Sequence, residues 1–126
     1  MATLTAKTNL TVSGIVADDI ALDVTMSPTV TEGGVTSKTL TSARNTGTAL
    51  TVVTAAYHAV GTVIYLRNMS STENMEVELT AGTTHVFLKP LTWAVFPWEA
   101  ATDIKVWSTN SSEVPTVEVG IFSTGE

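Results

Sequence analysis

Two histidines, His58 and His85, are the only imidazoles in the chain. A transition-metal centre needs at least three protein ligands, so Glu99 or Asp103 would have to complete a set with them. Neither an H-x-H pair nor an H-E-x-x-H helix is present. Both histidines therefore read as surface or packed residues near strand ends. Asp18, Asp19 and Asp23 crowd one stretch, as calcium ligands do, but the D-x-[DN]-x-[DN]-G loop and its distal Glu are missing. The plainer assignment is a turn followed by the outward face of a strand. Glu76, Glu78, Glu99 and Asp103 are the carboxylates from which a glycoside-hydrolase pair would be built. Glu76 and Glu78 alternate with Met75, Val77 and Leu79, which predicts that both carboxylates face outward into solvent. Serine nucleophile signatures such as G-x-S-x-G are absent. Gly14, Gly33, Gly34, Gly47, Gly61 and Gly82 form no phosphate-cradling loop. The expectation is a protein that is not an enzyme and uses neither cofactor nor metal.

The aromatic residues allow a different chemistry. Trp93, Trp98 and Trp107, with Tyr57 and Tyr65, could stack on sugar rings. Trp98 follows Pro97 at a predicted strand end, and Trp107 alternates with Val106 beside Lys105 on an outer face. These two are the candidate ligand or interface aromatics. The competing assignment places the rings in a core or a subunit interface, where each removes a large apolar area from water.

Such side chains need a scaffold, and composition narrows it. The chain has 126 residues, 44% of them hydrophobic and 14% charged. That length suits one domain, 1–126. Thr and Val are abundant, and their stiff β-branched side chains fit a pleated strand better than a helix. Cysteine is absent, which excludes disulfides and thiolate chemistry. The net charge is −6, and the six basic residues (Lys7, Lys38, Arg44, Arg67, Lys89 and Lys105) are scattered. Nucleic acid and anionic membranes are thus not expected partners, since both need clustered cations. The first residues lack a basic stretch followed by an apolar one, so no secretion signal is expected. On that basis the three N-x-[ST] triplets at Asn9, Asn68 and Asn110 are chance matches.

Period-two alternation dominates the chain. Leu4, Ala6, Leu10 and Val12 share one side of a first strand. Ile20, Leu22, Val24 and Met26 repeat the pattern, and so do Val117, Val119 and Ile121. Runs at Val63-Ile64-Tyr65-Leu66 and Trp93-Ala94-Val95-Phe96 predict more central strands. Glu32-Gly33-Gly34 predicts a tight hairpin turn. Asn45-Thr46-Gly47, Ser70–Asn74, Ala81-Gly82 and Thr109–Ser112 mark further turns. Helical signal is confined to single turns over 53–59 and 99–103. Short strands at this spacing predict an all-β antiparallel sandwich, jelly-roll-like, of about eight strands. Two arrangements suit the Thr-rich N-terminal part: light strands laid against a dense C-terminal sheet core, or a first ~15 residues (1–15) that form an arm pairing with a neighbouring subunit's edge.

The second half carries a resemblance. Val63-Ile64-Tyr65-Leu66-Arg67-Asn68 leads through a Ser/Thr turn to Met75-Glu76-Val77-Glu78-Leu79. Val86-Phe87-Leu88-Lys89-Pro90, Ala94-Val95-Phe96-Pro97-Trp98, Ala101–Ser108 and Val117–Phe122 follow. This succession, roughly residues 62–123, resembles small jelly-roll-like virion structural proteins of tailed bacteriophages, among them capsid decoration or cement proteins and head or tail accessories. The corner that reads L-x-P-G-E in them is Leu88-Lys89-Pro90-Leu91-Thr92 here. The resemblance implies a virion protein, assembled in the host cytoplasm, whose partners are the major capsid protein or other virion proteins. Sparse charge on the strands predicts edges covered by identical copies, a trimer being favoured, or by a shell protein. The rival function is a carbohydrate- or receptor-binding module.

Overall fold

The computed structural model describes residues 2–12, 20–26, 29–30, 32–39, 50–54, 62–80, 83–98, 102–109 and 115–123. Twelve strands lie in them. They are β1 (Ala2–Thr3), β2 (Ala6–Val12), β3 (Ile20–Met26), β4 (Thr29–Val30), β5 (Glu32–Thr39), β6 (Leu50–Val53), β7 (Thr62–Asn68), β8 (Met75–Thr80), β9 (Thr83–Leu88), β10 (Trp93–Trp98), β11 (Ile104–Ser108) and β12 (Thr116–Ser123). Among the described residues there is no helix, and so none long and apolar enough to cross a membrane. Tyr57, His58, Asp18, Asp19, Glu99, the Asn45-Thr46-Gly47 turn and most of the two predicted helical turns lie outside the described residues.

Eight strands form two four-stranded antiparallel sheets, ordered β10-β7-β12-β5 and β6-β11-β8-β9. The antiparallel sandwich predicted from alternation is thus what the chain adopts. Its pairings are nested: β5 with β12, β6 with β11, β7 with β10 and β8 with β9. The core lies between the sheets. Val52 and Val53 (β6), Ile64 and Leu66 (β7), Met75 and Val77 (β8), Leu88 (β9), Ile104 and Val106 (β11) and Val117 and Val119 (β12) form one buried cluster. Ile64 and Leu66, Met75 and Val77, Ile104 and Val106, and Val117 and Val119 each lie two residues apart, as the pleat requires.

The N-terminal strands form two small sheets, β1 with β4 and β2 with β3. The β2–β3 register sets Leu10 opposite Leu22, Val12 opposite Ile20 and Ala6 opposite Met26.

Two local expectations are corrected. Glu32-Gly33-Gly34 is not a turn. It begins β5, with Gly33 opposite Phe122 and Gly34 opposite Ile121. Long pairing with β12 outweighs the local turn preference of the glycines. The Trp93–Trp98 run is an edge strand, bonded only to β7 within its sheet. Pro97 is the reason available in the sequence, because a residue without an N–H is tolerated at a sheet edge.

Candidate functional site

At the end of the sandwich where β7 stops, Asn68 ties the β7–β8 connection to the end of β9. Its side chain is fully buried. Nδ2 donates to the carbonyls of Glu73 (2.7 Å) and Leu88 (3.1 Å), and Oδ1 accepts from the Ser70 amide (2.9 Å). The Asn of this N-x-[ST] triplet is therefore committed to the interior. Backbone bonds add Asn68 N–H to Thr92 O, Met69 N–H to Thr116 O, and Leu91 N–H to Ser70 O.

That frame presents the β9–β10 turn. Thr92 N–H donates to Lys89 O at 3.1 Å, closing a four-residue turn with Pro90 second and Leu91 third. Leu91 has φ 59°, the sole positive-φ non-glycine residue among the described residues. A third-position positive φ is the type II arrangement, normally given to Gly. A leucine there costs roughly 1–2 kcal/mol of backbone strain. Yet its side chain is 51% exposed, beside exposed Met69 and a Trp93 that is 47% exposed.

Trp93 begins the outer face of the β10-β7-β12-β5 sheet. Register builds this face in rows: Trp93–Arg67–Glu118, Val95–Tyr65–Gly120 and Pro97–Val63–Phe122. Gly120 makes the middle row possible. A Cβ there would lie 3.0 Å from the Phe122 ring and 3.2 Å from Tyr65 Cβ and Cδ1, so both rings close over a bare backbone. Tyr65 then reaches diagonally and donates its hydroxyl to Glu118 Oε1 at 2.6 Å. Burial raises the Tyr65 hydroxyl above its ordinary pKa of 10.0, and the bond to Glu118 and its negative charge add to the rise. Arg67 pulls the other way. The Arg67 Nε is buried and has no hydrogen-bond acceptor among the described residues.

These rows floor a cleft of about 650 Å³. Leu91 and Trp93, together with Leu4, Thr5, Ala6 and Lys7, complete its walls. The arrangement offers a flat ring, two cations, and the Tyr65 hydroxyl bonded to the Glu118 carboxylate.

On the opposite outer face, that of β6-β11-β8-β9, the inner strands β11 and β8 are closed, while Phe87 on the edge strand β9 is 51% exposed. Glu76 and Glu78 were expected in solvent, but each is only 8% exposed. Trp107 is on the outer face, as its alternation with Val106 predicts, and is buried there at 6% exposed. Its Nε1–H donates to Glu76 Oε2. Glu76 is flanked in register by Trp107 and Phe87, and Glu78 by Lys105 and Thr84. Two covered sides are what bury these carboxylates, and a hydrogen bond is what makes burial tolerable. Trp98 ends β10 half-buried against the core, edge-on to Phe96 at 6.2 Å, with its Nε1 buried and unpaired. The exposed tryptophan is Trp93, a residue whose place in an apolar run hid its role. Pro97, marking an edge strand, was the signal that would have found it.

Among the described residues no three His, Cys, Asp or Glu side chains gather to hold a metal ion. His85 is on β9, and Asp103 lies half-buried just before β11. No family model matches the chain, and neither a curated protein nor a solved structure is found to match it.

Proposed function

We propose that this chain is a non-enzymatic virion structural protein that binds and stabilises a phage capsid lattice. The observation that carries the reading is Leu91. An exposed leucine in a backbone conformation that favours glycine is destabilising twice, through strain and through hydration. Both effects are offset if the turn, with Met69 and Trp93, seats in a protein surface. The nested strand pairing supports a jelly roll, since an eight-strand hairpin rolled into two sheets gives that order. The resemblance over residues 62–123 points to the same class, and its glycine-bearing corner falls where Leu91 now stands. Many weak contacts of this kind across a lattice would add up to firm attachment.

Purified protein mixed with capsids of the same genome assembled without it should co-sediment to a fixed ratio, and light scattering should show a homo-oligomer, a trimer being favoured. Capsids that pellet alone under several salt conditions would remove the proposal.

A carbohydrate- or receptor-binding module is the second reading. The specific observation in its favour is the exposed Trp93 ring on the wall of an open cleft.

A further inference from the structure

We infer that the outer-face cleft recognises an acidic saccharide, a pyranose bearing a carboxylate. This rests on the carbohydrate reading of the cleft, the alternative to capsid attachment through the same rim. The cleft's volume, about 650 Å³, lies within the range of about 300–1,000 Å³ usual for small-ligand sites. Trp93 offers its ring along one wall, and a flat aromatic face suits the apolar C–H face of a sugar. The anion preference comes from charge. The chain as a whole is acidic, at −6, yet Arg67 and Lys7 both line this cleft against one carboxylate, Glu118. Glu118 already accepts the Tyr65 hydroxyl at 2.6 Å. Arg67 retains an Nε–H without an acceptor. That Nε is closed to a ligand, so the anion preference rests on the charge of the guanidinium and on the part of Arg67 that lines the cleft, where a carboxylate suits its planar geometry. Lys7, exposed in the lining of the cleft, adds a second, less directional charge.

The test uses the full chain and three probes in titration calorimetry: an oligogalacturonate, its methyl ester, and a sulfated galactan oligosaccharide of equal length. The acid should bind roughly tenfold more tightly than the ester, the scale of one charge-assisted contact. Arg67→Gln should cut that ratio to about two- to threefold, the share left to Lys7, while Trp93→Ala should weaken acid and ester alike. Should Arg67→Gln fail to fold, Lys7→Gln, on an exposed residue, should still narrow the ratio about two- to threefold. Equal binding of acid and ester would overturn the acidic preference while leaving the carbohydrate reading standing. Tighter binding of the sulfated probe would also overturn it, showing a diffuse charge site. Absence of binding by all three would overturn both.

Discussion

On the outer face of β6-β11-β8-β9, Trp107 donates to Glu76 and both are more than nine-tenths buried. On the outer face of β10-β7-β12-β5, Trp93 stands in a row with Arg67 and Glu118, and nearly half of it remains in water. The ingredients are alike, and strand position separates them. β11 and β8 are the two inner strands of their sheet, so their outward residues have neighbours on both sides. β10 is an edge, so Trp93 has Arg67 on one side and the cleft beyond. An outward position in a strand is therefore not a solvated position. A large ring on an inner strand closes the face over its neighbours, and the same ring at an edge leaves a groove.

The largest expected effect tests the closed face. Trp107→Ala should destabilise by about 3–5 kcal/mol, through a lost buried ring and the loss of its hydrogen bond to the buried Glu76. Trp93→Ala should stay within about 0.5 kcal/mol. Equal shifts of the two denaturation midpoints would erase the distinction between the faces. Next comes the frame of the open face. Asn68→Ala leaves the carbonyls of Glu73 and Leu88 and the Ser70 amide without their partner, and should cost about 2–3 kcal/mol in the same assay. Gly120→Ala should cost about 1 kcal/mol, because the Phe122 ring edge can yield but Tyr65 Cβ is fixed to the strand. A neutral result there would mean the rings do not close over the backbone. Leu91→Gly should stabilise by about 0.5–1 kcal/mol, strain relief exceeding the added unfolded-state entropy.

The smallest effect is on pH. The folded state holds the Tyr65 proton more tightly than the unfolded chain, through burial first and the Glu118 contact second. Its stabilising contribution is complete below the unfolded value of 10.0 and declines as pH rises through the higher folded value. Ultraviolet titration of the phenol should show the raised value, and Glu118→Gln should lower it. A phenol that titrates no later in the wild type than in the variant would detach Tyr65 from Glu118.

Alternation was enough to read the sandwich and most of its core: Met75, Val77, Val117 and Val119 face inward where their spacing puts them. It could not read the burial of Glu76 and Glu78. That depends on which strands flank β8, a long-range property no local pattern carries. Gly33 and Gly34 misled for the same reason, since a distant partner strand decided their conformation. The site was half legible. The aromatics stood out, but ranking them required knowing that β10 is an edge and β11 is not. Leu91 was visible as the departure from a glycine corner, and only its backbone angle gave that departure a meaning.

The central claim is that the open face and its leucine-tipped rim make the contact while the closed face holds the fold. Capsid co-sedimentation of three proteins tests it: wild type, Leu91→Asp on the rim, and Lys105→Gln on the closed face. The account predicts that wild type and Lys105→Gln pellet with capsids alike, while Leu91→Asp, equally folded, loses at least tenfold in affinity. Undiminished binding by Leu91→Asp, or no binding by the wild type, would contradict it.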